Sequence, residues 1–300
     1  MIAAPTDALT LAQRRRFYAE ELRAIADLRS SLLVAALSEV AREEFLGPPP
    51  WYFSSQAPSR DGAYRTTDDV RELYHDVLVA LKPDRGLNNG QPSLVAGCID
   101  RLGLVPGSHV LHVGCGTGYY TAIMAKIVGP EGAVTAFEVD PDLAAQARGN
   151  LAKWPHVEVH CRDGAEGVPS RIEGYGGLDA IFVNAAVTEP HPEWLSGLRP
   201  DGTLMVPFAI GESAASWKSL FVRVARRGSG FSAEPYSIFN LYPSSTLRSA
   251  EVQAGLAACV ASKAIGVVRS LRVDPHVETP ACVLHTDSFC LSSSKIDDLS

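Results

Sequence analysis

The chain has 300 residues, 46% of them apolar and 20% charged, with a formal charge of -7 and a pI near 5.6. A chain of that length can bury a sizeable core, and its acidic balance disfavours stable binding to a phosphate backbone, so a globular protein with no nucleic-acid partner is expected. No apolar run reaches the roughly 18 residues of a membrane span, and "MIAAPTDALTLAQRRR" lacks a secretion signal's basic start and apolar core, so the expected location is the cytoplasm, away from membranes.

Residues 7–45 predict helix, with Leu9, Phe17, Leu22, Ile25, Leu28, Leu32, Leu37 and Val40 recurring at spacings of three to four or their sums. The prolines of "LGPPPWYFSS" end it. A second helix is predicted over 67–81, capped by Thr66 or Thr67 and stopped by Lys82-Pro83, and a third over 92–102. Short apolar strands then follow at 109–114, 133–138, 157–161, 178–183 and 202–207, separated by helical or mixed segments at 119–128, 141–153, 164–172 and 192–198. Strand–helix alternation of this kind predicts a parallel sheet covered on both faces. Beyond Pro207 come "SLFVRVAR", an alanine-rich helix near 250–265, "VVRSLRV" and "CVLHTDSFCLS", which suggest antiparallel strands added at the sheet edge before a frayed polar tail.

The six cysteines, at 98, 115, 161, 259, 282 and 290, form no CxxC pair. They read as reduced, buried thiols, not as a disulfide framework. The eight histidines never fall at i, i+4 near a third ligand, so no metal site is expected.

The chemistry concentrates in "VLHVGCGTGYYTA", residues 110–122, where Gly114, Gly116 and Gly118 follow the first parallel strand and open a helix. Ligands of open α/β sheets bind beyond the carboxyl ends of the strands, and glycines let backbone approach them closely. The dinucleotide pattern G-x-G-x-x-G fails at Tyr119 or Thr121, and no phosphate-loop lysine follows, so the pattern suits a nucleoside without pyrophosphate. Glu138 ends the next strand and can accept both hydroxyls of a ribose, whereas Asp140 reads as the cap of the following helix. Asp163-Gly164, after the third strand, is placed to accept from the amino group of adenine.

Together with "AREEFLG", "NNGQPSLVAGCIDRLGL", "VNAAV" and "LRPDGTLMVPF", these features resemble the class I S-adenosylmethionine-dependent methyltransferases, and within them the protein-L-isoaspartate O-methyltransferase family, over residues 41–207. The resemblance implies a Rossmann-like, doubly wound, mostly parallel seven-stranded sheet with an N-terminal helical lid and an extended antiparallel C-terminal part. It divides the chain into a lid region (1–85), a cofactor-binding core (86–210) and C-terminal strands and helix completing the sheet (211–300). S-adenosyl-L-methionine is then the cofactor, with Gly114, Gly116 and Gly118 along its methionine end, Glu138 on the ribose, and Asp163 and Gly164 at the adenine. Asn89, Gln91, Ser93 and Asn184 become the catalytic candidates, and Trp51, Tyr52 and Tyr64 possible substrate contacts from the lid. Cys115 reads as a small loop residue rather than a nucleophile, and one of Tyr119 and Tyr120 as core.

The chain departs from the family where Gly90 occupies the position of a serine or threonine. In-line methyl transfer to a substrate carboxylate is the expected reaction. An ionised carboxylate needs no general base at neutral pH, and alignment alone can lower a barrier by roughly 7–11 kcal/mol. The methyl acceptor is expected to be a peptide, a protein or a small molecule. Methyl transfer to a peptide natural product stays open, as, more remotely, do tRNA modification and a non-catalytic nucleoside-binding module.

Overall fold

A computed structural model describes residues 9–54, 65–168, 176–211, 217–244 and 246–296. The N-terminal stretch holds helices α1 (Leu11–Ala26) and α2 (Ser31–Glu39), then strands β1 (Trp51–Ser54), β2 (Arg65–Thr67), β3 (Leu78–Lys82) and β4 (Leu87–Asn88), which form a small sheet ordered β2-β1-β3-β4. After α3 (Pro92–Asp100) come β5 (His109–Val113), α4 (Tyr119–Val128), β6 (Ala133–Glu138), α5 (Pro141–Leu151), β7 (Val157–Cys161), β8 (Leu178–Val183), α6 (Pro192–Ser196) and β9 (Leu198–Ala209). The C-terminal part adds β10 (Lys218–Arg227), β11 (Gly230–Asn240), α7 (Ala250–Ala261), β12 (Ser270–Arg272), β13 (Cys282–His285) and β14 (Cys290–Ser292).

The large sheet has ten strands, ordered β13-β14-β12-β11-β10-β9-β8-β5-β6-β7, not the expected seven. β9 to β7 pair in parallel, and β10 to β13 continue antiparallel. The parallel strands read as continuous apolar runs because both of their faces are covered. Val110, Ala180 and Phe182 face the core shared with α1 to α4, while Leu111, Ile181 and Val183 face the one beneath α6 and α7.

Three predicted elements differ. The helix over 7–45 is two helices and a 3-10 turn (Arg42–Phe45), because Asp27 ends α1 in the left-handed region while Ser30 caps α2. Asp100 fixes that break by accepting from the amides of Arg29 and Ser30, at 3.0 and 2.8 Å. Leu22, Leu28, Leu37 and Val40 are buried as their spacing suggests, but Leu9, Phe17, Ile25 and Leu32 face outward. The helix over 67–81 does not form: β2, a 3-10 turn (Val70–Leu73) and β3 stand there, so residues 1–85, expected to be helical, are part sheet. The predicted helix over 164–172 is a 3-10 turn at Gly164–Glu166, its last residues lying outside the described ones.

Candidate active site

β5 and α4 are joined by the glycine turn. Gly114, Gly116 and Gly118 have φ of +79°, +57° and +94°, in the region L side chains rarely adopt. The amides of Gly114 and Cys115 donate to the Phe137 carbonyl at 2.8 and 2.9 Å, which folds the turn back against β6. The Gly116 amide donates to Glu138 at 2.8 Å, and the Asp140 amide donates to the other Glu138 oxygen at 3.0 Å. The carboxylate is thus held at the strand end, with lone pairs left for a ligand. Burial raises its pKa above the ordinary value against those two amides.

A cavity of about 670 Å³ opens over this turn, within the range of small-ligand sites. Asn89, Gln91, Gly114, Gly116, Glu138, Asp163, Gly164 and Asn184 all line it. Two predicted residues do not. Ser93 turns away, its amide and hydroxyl donating to Asp76 at 2.8 and 2.7 Å. Gly118 caps α4 beneath the turn, where a Cβ would strike Leu151. Nor do the lid aromatics reach the cavity: Trp51 is buried in the small sheet's own core, Tyr52 is exposed, and Tyr64 lies outside the described residues. Asp140 caps α5 as expected.

Buried polar atoms mark the cavity's chemistry. Asn89 Oδ1 accepts from Arg42 at 3.1 Å and from the Val79 amide at 3.3 Å, which leaves Nδ2 buried without a hydrogen-bond partner. Asn184 Oδ1 is orphaned in the same way. Such atoms cost roughly 1–3 kcal/mol each until something pairs with them. Asp163 caps its 3-10 turn and accepts from the Thr246 hydroxyl at 3.1 Å. Val139, although it lines the cavity, is 60% exposed. Cys115 is buried, and burial pushes its thiol far up, which suits a packing residue and not a nucleophile. Tyr119 and Tyr120 are both buried at the wall, with the Tyr120 hydroxyl 3.4 Å from the Gly90 carbonyl.

Several contributors stand outside the proposed site residues, although Arg42 lies within "AREEFLG" and Gly90 within "NNGQPSLVAGCIDRLGL". Arg42 is wholly buried and donates to the carbonyls of Leu73 and Val77 at 2.6 and 2.8 Å as well as to Asn89. Lys82 and Arg85 clamp Asp140, at 2.8 and 2.6 Å, latching the small sheet onto the helix after β6. Burial opposes ionisation of Asp140, yet those cations and the α5 amides outweigh it and hold the carboxyl near 2. Trp217, just before β10, Ile238 and Asn240 of β11, and Tyr242 beyond it close one wall. Gly90 has φ of +79°, and a Cβ there would meet Val95 at 2.9 Å, so the local backbone is shaped for glycine.

At the far edge of the sheet, histidines and cysteines come together where their spacing led to no metal site being expected. His276, Cys282, His285 and Cys290 bring their ligand atoms within 4.8 Å of one another. Nor are all the thiols buried: Cys161 is exposed and Cys282 partly so.

Residues 63–229 match the family model described as protein-L-isoaspartate(D-aspartate) O-methyltransferase. A protein-L-isoaspartate O-methyltransferase 2 of Rhodopseudomonas palustris (strain HaA2) is 32% identical over 68% of this chain and 80% of its own. The protein-L-isoaspartate O-methyltransferase of Methanopyrus kandleri is 30% identical over 66% of this chain and 78% of its own. Among solved structures, a putative protein-L-isoaspartate O-methyltransferase of Plasmodium falciparum, in complex with S-adenosyl-L-homocysteine, superposes with a TM-score of 0.58 at 18% identity, covering 78% of this chain and 98% of that one.

Proposed function

The chain belongs to the protein-L-isoaspartate(D-aspartate) O-methyltransferase family and is an S-adenosylmethionine-dependent methyltransferase, and from that premise we propose that it esterifies the free α-carboxylate of an isoaspartyl residue in a peptide or protein. The observation that carries this reading is the pair of buried, unpaired amide atoms, Asn89 Nδ2 and Asn184 Oδ1, on the wall of one cavity. One donor and one acceptor there are left unsatisfied by the protein itself.

The donor set suits the cofactor. Glu138 offers the lone pairs that a ribose diol needs, and Asp163 offers an acceptor for an exocyclic amine. The exposed apolar Val139 fits the face of a flat heterocycle. Gly114 and Gly116 leave room for the amino-acid end. S-adenosylmethionine supplies an electrophilic sulfonium methyl. The chain's share is to hold the acceptor carboxylate in line and exclude water. Asn89 suits the first task, since Arg42 and the Val79 amide hold its oxygen and so fix the side chain at the cavity wall. Asn184, just past the end of β8, keeps an oxygen without a protein partner that suits an N–H of a ligand. No side chain has to take a proton, because the acceptor is already ionised at neutral pH.

Among the described residues no helix is long and apolar enough to cross a membrane. The free cysteines support work in a reducing compartment, the cytoplasm.

Incubation with methyl-labelled cofactor and an isoaspartyl peptide is expected to yield a base-labile peptide methyl ester, with none on the matching α-aspartyl peptide. Asn89→Ala should cut kcat by about tenfold to a thousandfold, as when one positioned donor is lost, with cofactor Kd nearly unchanged. Cofactor binding without any peptide ester would refute the substrate assignment.

A further inference from the structure

The C-terminal edge of the sheet carries a cluster that methyl transfer does not use. β13 and β14 run antiparallel, with His285 opposite Cys290. Residues three apart on a regular strand point to opposite faces, which would separate Cys282 from His285. Here the register shifts between Cys282 and Leu284, and this bulge brings both side chains to one side. His276, from the preceding loop, completes the group with its Nε2 3.7 Å from Cys282 Sγ.

From this geometry we propose that His276, Cys282, His285 and Cys290 form a tetrahedral Cys2His2 site for a structural zinc ion. With metal–ligand bonds of about 2.0–2.3 Å, neighbouring ligand atoms of such a centre lie roughly 3.3–3.8 Å apart. The measured 3.7 Å already fits, and the four atoms' 4.8 Å spread needs only a small contraction. Two thiolates and two neutral imidazoles match zinc, because sulfur ligands disfavour magnesium and calcium while the tetrahedral arrangement disfavours copper(II).

The surroundings are those of a prepared site. His276 Nδ1 lies 2.8 Å from the Asp274 carbonyl, so it donates there and turns a bare Nε2 toward the cluster. The Thr279 amide donates to Cys282 Sγ at 3.3 Å, which favours the thiolate. His285 Nδ1 is buried without a hydrogen-bond partner. Arg272, opposite Cys290 across β12 and β14, has its charge engaged by Asp274. Binding releases the thiol protons and leaves a neutral centre.

None of the four residues lines the catalytic cavity, so the ion's work is mechanical. It ties the loop before β13 to the short outermost hairpin, an edge that few ladder bonds hold. α7 leans on the same strand, Cys259 Sγ lying 3.1 Å from the Val283 carbonyl.

The test uses the full chain purified under reducing conditions, loaded with zinc chloride and desalted, with metal counted by mass spectrometry. One zinc per chain is expected. Cobalt(II) in its place should give the intense visible bands of a tetrahedral centre and a thiolate charge-transfer band. Cys282→Ser and His285→Ala should each weaken zinc binding by about tenfold to a hundredfold or more, while Cys161→Ser, in an exposed thiol outside the cluster, changes nothing. Chelation should lower Tm yet leave the cofactor's Kd at low temperature unchanged. Zinc near zero in the unsubstituted chain, or a Cys282–Cys290 disulfide in the protein as purified, overturns the site. So does a cobalt spectrum without thiolate bands, a measurement that requires no variant to fold.

Discussion

His112 shows how one side chain sets a pH limit on the whole chain. It lies fully buried on β5, stacked on Phe182 at 5.2 Å, with Nδ1 2.9 Å from the Thr121 hydroxyl. Burial lowers its pKa from 6.5 to about 3, so the folded state keeps it neutral where the unfolded chain takes up a proton. Its share of stability is therefore complete above about pH 6.5 and is lost as the pH falls toward 3, by at most about 5 kcal/mol. Urea midpoints measured from pH 7 to pH 4 should fall steeply, and His112→Gln should flatten that slope. Equal slopes in the two proteins would exclude His112 as the cause. Gly90 carries the opposite lesson. It reads as a missing hydroxyl, but its positive φ and the nearby Val95 show a backbone built around glycine, with the unpaired amide nitrogen of Asn89 buried beside it.

At the scale of elements, Arg42 decides what residues 67–81 become. Their apolar spacing permits a helix, whose carbonyls would bond internally. Instead the buried guanidinium takes the carbonyls of Leu73, His75 and Val77, and β3 pairs with β1 and β4. Arg42→Met keeps much of the side-chain volume but leaves those carbonyls and Asn89 Oδ1 without that donor. The expected loss is roughly 3–5 kcal/mol, measured by denaturant unfolding, together with a fall in kcat as Asn89 loses its orientation. An Arg42→Met protein as stable and active as the parent would show that the turn holds without the cation. In β13, too, regular spacing is not what decides, since a bulge brings Cys282 and His285 to one side.

Across the whole molecule, the large sheet runs unbroken from β7 to β13, and its C-terminal strands supply one wall of the cavity. We propose on that basis that residues 86–210 and 211–300, although distinct in pattern, unfold together. A chain ending at residue 210 loses β10 against β9 and exposes Val206 and Phe208, both fully buried. It should be insoluble or lack a cooperative transition by circular dichroism, and the full chain should show a single calorimetric transition. A soluble, cofactor-binding fragment would mark the C-terminal part as an accessory. Much of this architecture was legible in the amino-acid order. β6, β7, β8 and α4 stand at their predicted limits, and eight of the ten proposed site residues line one cavity. Apolar runs and glycine positions are local properties, which a chain carries before it folds. Pairing partners are not local. Whether residues 67–81 pair or coil, whether Ser93 meets the cavity or Asp76, and whether four scattered thiols and imidazoles converge depended on contacts between segments far apart in the chain, and these only the tertiary structure decided.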